Sequence, residues 1–143
     1  MEYSKTGLAL TERFEDCKLQ SYQDSVGVWT IGWGHTKDVK PNMYITQGLA
    51  DLFLTEDTKS AVNCINQFVT LPINQEEFDA LVDFVFNLGC TNFQRSTLLK
   101  LLNQGSFKVA ALEFSKWDRA GGKVVAGLLR RRLAEQEEFN GKS

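Results

Sequence analysis

The stretch RFEDCKLQSYQDSVGVWTIGWGHT, residues 13 to 36, decides the fold. Just before it, Leu8, Leu10 and Phe14 alternate with charged residues from Ser4 or Thr6 onward, a spacing that predicts a short amphipathic helix ending near Phe14. Within it, β-branched and aromatic residues from Leu19 to Ile31 are broken by Asp24, Ser25 and Gly27, which predicts a hairpin or small meander. Its polarity and glycines mark a sheet at the surface.

Downstream the period changes. Ile45, Leu49, Leu52, Phe53, Ala61, Val62 and Ile65 recur at three- and four-residue spacing, predicting one long connecting helix over about 46–66, with Gly48 as an early kink. Asn74 with Glu77 has the form of a capping box, followed by Phe78, Leu81, Val82, Val85, Phe86 and Leu88 and closed by Gly89, so a central core helix is expected there. Ser96 opens a short helix stopped by Gly105, and Ser106 another stopped before Gly121 and Gly122. A last helix of about ten residues turns Leu128, Leu129, Leu133 and Phe139 inward and carries Arg130, Arg131, Arg132 and several glutamates outward. A small N-terminal antiparallel sheet followed by helices is an α+β arrangement, mainly helical, with the sheet packed beside a helical bundle and a cleft between them. The 143 residues are expected to form a single domain of two lobes, about 1–45 and 67–143, joined by the helix at about 46–66.

Composition narrows the function. Hydrophobic residues at 43% and charged residues at 24% are ordinary for a folded soluble chain. No apolar run approaches the ~18 residues of a spanning helix, and MEYSKTGLALTERFE lacks the layout of a signal peptide, so synthesis in the cytoplasm without a signal and no membrane segment are expected. A net charge of -2 gives no global attraction to nucleic acid. Cys17, Cys64 and Cys90 are odd in number and form no C-x-x-C pair, so three free thiols are expected, with neither a disulfide framework nor a zinc site.

Chemistry concentrates in the opening stretch. Glu15 falls at the end of the first helix and Asp24 at a turn nine residues later. A carboxylic acid and a carboxylate flanking a bond are what glycoside hydrolysis needs, one protonating the leaving oxygen and the other activating water or attacking directly. Against this stands the reading of two surface acids among eighteen. Thr30 is either a third member that orients water or an ordinary strand threonine. His35 reads as a base, a metal ligand or a structural brace. Without a second histidine or a neighbouring cysteine the brace is preferred, with Glu56 or Asp57 as its partner. Of the three consecutive arginines, at least one must point inward and needs an acid, while the other two read as solvated.

The run YQDSVGVWTIGWGH, from Tyr22 to His35, fits every fixed position of Y-x-D-x-x-G-x-x-T-I-G-x-G-H, with Glu15 where a glutamate precedes it. In this the chain resembles the phage-type lysozymes, or endolysins, of glycoside hydrolase family 24. The likeness continues through FVFNLG at 84–89, STLLKLLN at 96–103, Trp117 to Lys123 and GLLRRRLAE at 127–135. The resemblance implies a lysozyme-like fold and an inverting muramidase that cuts the β-1,4 bond between N-acetylmuramic acid and N-acetylglucosamine, without metal or cofactor. It implies Glu15 as general acid, Asp24 and Thr30 holding the water, His35 paired with Asp57, Arg131 set against Glu15, and Phe86 and Ser96 near the sugar. Its implied partners are peptidoglycan and a membrane-permeabilising holin that lets a monomeric enzyme reach the periplasm and lyse the host. The alternative is a lysozyme-like module that binds peptidoglycan without cutting it, which has no chemical need for the full triad. The chain departs from the family pattern at Asp16, where a glycine suited to a left-handed helix end is usual, and at Gly48, where a helix-forming acid is common.

Overall fold

The computed structural model describes residues 1–142. In chain order it contains α1 (Lys5–Phe14), β1 (Lys18–Gln23), β2 (Trp29–Gly32), α2 (Gln47–Phe68), α3 (Gln75–Leu88), α4 (Cys90–Gln94), α5 (Thr97–Asn103), α6 (Phe107–Ala111), a 3-10 turn at Phe114–Lys116, β3 (Arg119–Ala120), β4 (Lys123–Val124) and α7 (Ala126–Phe139). The mainly helical α+β class and the small antiparallel sheet read from the sequence are both present. The chain divides into two compact units: Thr11–Lys59, and Met1–Leu10 with the chain from Ser60 onward.

The hairpin unit is built on the opening stretch. β1 and β2 pair antiparallel with Tyr22 opposite Thr30 and Gln23 opposite Trp29, and the register shifts between Lys18 and Tyr22. Gly32, at φ +64°, lies where a Cβ would meet Ala50 at 3.3 Å, so only glycine lets the strand end seat on the first turns of α2. Ile31, Ala50 and Leu54 are buried in this unit. Thr46 Oγ1 accepts from the Leu49 amide and caps α2, which places Gly48 at its second residue.

The helical unit is organised around α3. The Asn74/Glu77 capping box is closed in both directions at 2.8 and 2.9 Å, and Gly89 ends the helix at φ +90°. Phe84 sits edge-on to Phe93, Phe114 and Trp117, so the core is an aromatic cluster wrapped by α4, α5 and α7. Ser96 caps α5 by accepting from the Leu99 amide.

Three expectations are corrected. Cys64 and Cys90 form a disulfide, leaving Cys17 as the free thiol; their separation of 26 residues carries no signal, and the turn at Gly89 brings Cys90 to α2. The segment after Ser106 is not one helix but α6 and a 3-10 turn, and the Gly121–Gly122 loop is the tip of a two-residue hairpin. One inward arginine is expected, Arg131 by the resemblance, and it is buried; Arg132, expected among the solvated pair, is buried as well along with Glu135 and Glu138, while Leu133 and Arg130 are exposed. Partners on α3 reverse the pattern. Asp83 accepts two bonds from Arg131 at 2.9 and 2.7 Å, and Asn87 accepts from Arg132 at 2.7 Å.

Candidate active site

Glu15 follows the last residue of α1, its amide still donating to the Thr11 carbonyl at 3.1 Å. The helix thus carries the carboxylate to its very end, and the side chain is half-buried. Beyond it the chain runs directly into β1. Asp38 and Asn42 are the non-glycine residues with positive φ among those described, so Asp16 makes this exit without a left-handed conformation. Asp16 therefore stands at this position without backbone strain.

Asp24 sits where β1 gives way to the turn. Its amide donates to Val28 O at 2.9 Å, and its Oδ1 accepts from the amides of Val26 at 3.0 Å and Val28 at 2.8 Å. This local Asx geometry is why an aspartate belongs at a tight turn. It also differentiates the carboxylate: two backbone donors occupy Oδ1, and Oδ2 has no protein partner among the described residues. Thr30, buried on β2, donates its hydroxyl proton to Val28 O at 3.0 Å. With the proton committed, its oxygen has only lone pairs left to offer.

A second tight turn holds the floor. The Ile31 and His35 backbones exchange bonds of 2.8 and 2.9 Å around Trp33 and Gly34, and a Cβ on Gly34 would lie 3.8 Å from Glu15 Oε2. This turn is therefore the backbone surface beside the glutamate. His35 Nδ1 lies 2.7 Å from Asp57 Oδ2, and its ring stacks on Phe53 at 4.1 Å. Trp33 Nε1 donates to Asp51, which Gln47 also contacts, and these bonds hold Asp51 below the ordinary carboxylate range. Both histidine and tryptophan tie the turn to α2, and no cluster of candidate metal ligands occurs among the described residues.

The structure brings Glu15, Asp24, Thr30, His35 and Asp57 into one unit. Arg131, Phe86 and Ser96 belong to the helical unit. Arg131 is buried against Asp83, Phe86 is half-buried on α3, and the Ser96 hydroxyl donates to Phe93 O at 2.6 Å while capping α5. Sequence reasoning missed Tyr22, which lies in the field of Glu15, Asp16 and Asp24; burial first, then the charges of Asp16, Asp24 and Glu15, push its phenol above the ordinary value. The signal was its register opposite Thr30, visible only once the hairpin is paired.

The phage lysozyme family model matches residues 12–135. An endolysin of Acyrthosiphon pisum secondary endosymbiont phage 1 is 41% identical over 143 residues, covering 97% of this chain and 98% of that protein. A SAR-endolysin of Bacteriophage PS119 is 36% identical over 133 residues, covering 92% of this chain and 80% of that one. Among solved structures, a P22 lysozyme mutant matches with a TM-score of 0.90 at 36% identity, covering 98% of this chain and 99% of that chain. By its matched residues, its relatives and its fold, this chain belongs to the phage lysozyme family.

Proposed function

We propose that Glu15, Asp24 and Thr30 carry the activity of this family member, an endolysin-type muramidase that hydrolyses peptidoglycan. The observation that carries the assignment is the unequal use of the Asp24 oxygens. With Oδ1 occupied by the Val26 and Val28 amides, Oδ2 is the one that takes a proton from water. Thr30, its own proton given to Val28 O, accepts the other hydrogen of the same water. A water holding both hydrogens toward the protein presents its lone pair to the anomeric carbon, the geometry of single-displacement, inverting hydrolysis. Glu15, from the end of α1, gives its proton to the departing oxygen. His35 and Asp57 brace the Gly32–Gly34 turn rather than act on the sugar. Phe86 and Ser96 as sugar contacts and Arg131 as support of Glu15 rest on the resemblance alone.

The test is clearing of a peptidoglycan suspension. Glu15→Gln protein of unchanged fold is expected to lose at least a thousandfold, on the order of what a general acid contributes. Full clearing by that variant would overturn the mechanism, and binding without any cleavage by the unaltered chain would mark a wall-binding module instead.

The enzyme acts on the cell wall as a monomer, reaching it through a membrane opened by a holin. No described helix is long and apolar enough to cross a membrane. Lysis on expression without a holin, abolished by blocking secretion, would contradict the holin route and favour the behaviour named in the SAR-endolysin relatives.

A further inference from the structure

Tyr22 stands directly opposite Thr30 in the β1–β2 ladder. Opposed residues share a face of the sheet, and the alternation of side chains, carried one step past β1 by the Asp24 amide bond to Val28 O, puts Asp24 on that face too. The three residues therefore project to the same side. The Tyr22 ring is half-buried with the Lys18 ammonium 5.9 Å from its centroid, yet its hydroxyl makes no hydrogen bond with any described residue.

What these groups offer a ligand is unequal. Asp24 presents a carboxylate oxygen and Thr30 a lone pair, so both accept. Of the three, only Tyr22 offers a proton. Burial first, then the negative field of Asp16, Asp24 and Glu15, keeps that proton in place. A sugar hydroxyl can satisfy itself by donating to the acceptors of this face, whereas a carbonyl oxygen can only accept and so needs the tyrosine.

We infer that the Tyr22 hydroxyl is a further substrate-contacting group of the site, donating a hydrogen bond to the acetamido carbonyl of an N-acetylated sugar bound over the hairpin. This rests on the muramidase reading and assigns that site its preference for N-acetylation. Tyr22 moves no proton in the reaction.

Binding separates the two proposals, because it can be measured on Glu15→Gln protein that does not turn over. The probe is a soluble tetrasaccharide of alternating N-acetylglucosamine and N-acetylmuramic acid. Adding Tyr22→Phe to this background is expected to weaken binding about fivefold to tenfold, the scale of one neutral hydrogen bond, with the melting temperature unchanged. With an analogue whose acetamido groups are replaced by hydroxyls, the two proteins should bind equally. Equal binding of the acetylated probe, or the same loss with both probes, would overturn the assignment. A ring-fluorinated tyrosine at position 22 keeps the hydroxyl but ionises at lower pH, so affinity for the acetylated probe should fall at correspondingly lower pH. An unmoved profile would contradict the donor role. Residual clearing by Glu15→Gln protein bears only on the mechanism above and leaves this comparison intact.

Discussion

The two units handle polar side chains in opposite ways. In the hairpin unit, Asp24 and Tyr22 keep hydrogen-bonding capacity that the protein does not use, at a half-buried surface. In the helical unit, Arg131, Arg132, Asp83 and Glu135 are buried and directed at one another. Unused capacity at a surface is where a substrate can be recognised. Charges removed from water must be matched internally, and they act on stability whatever the chemistry. Substitutions in the first set should therefore change rate and spare the fold, and those in the second should do the reverse.

The largest divergence is expected at Asp24→Asn, which keeps the acceptor at Oδ1: loss of about a thousandfold in clearing, with unfolding free energy within about 1 kcal/mol of the unaltered chain. A comparable fall in stability, measured by urea unfolding, would erase the contrast. Arg132→Met is the converse. Arg132 Nη2 donates to Glu135 at 3.1 Å and to Asn87, its Nε lies 2.8 Å from the other Glu135 oxygen, and its guanidinium packs 5.3 Å from the Phe84 ring centroid. Removing it leaves a buried carboxyl without its main partner and should cost about 3 to 5 kcal/mol in the same experiment.

Glu135 sharpens the point through pH. Burial, then its hydrogen bond to and the charge of Asp83, hold its carboxyl well above the usual range, against the opposing pull of Arg132 and Arg131. The folded state then binds a proton more tightly than the unfolded chain. Stability from this group is full below the ordinary glutamate value and is lost as pH rises from there toward the elevated one. Glu135→Gln should flatten that decline in melts from pH 4 upward, and an unchanged slope would assign the pH dependence elsewhere. The smallest effect is at Gly48, where a Cβ would meet nothing nearer than Thr46 Oγ1 at 3.9 Å. Gly48→Ala should add about 0.5 to 1 kcal/mol to the unfolding free energy and leave clearing unchanged.

The elements legible in the sequence were those written locally. A capping box spans four residues, and the alternation around Asp24, Ser25 and Gly27 contains its own turn, so α3 and the hairpin could be located by spacing alone. The candidate triad and the His35–Asp57 pairing were legible through the resemblance, since the motif keeps Glu15, Asp24 and Thr30 in register. Features that depend on a distant partner were not. Three consecutive arginines required one inward member, but burial of a second, Arg132, is decided by Asn87 on another helix, and a charged run by itself reads as solvated. The Cys64–Cys90 bond needs the end of α3 to turn back on α2, which no count of cysteines reveals. The hydroxyl of Tyr22 became meaningful only when pairing set it across from Thr30.

Digestion of purified peptidoglycan in ¹⁸O-labelled water, with early products followed by mass spectrometry and NMR, tests the water held by Asp24 and Thr30 most directly. A single displacement predicts reducing-end N-acetylmuramic acid carrying one ¹⁸O and appearing first as the α anomer. Products appearing first as the β anomer, or 1,6-anhydro ends without label, would contradict attack by that water.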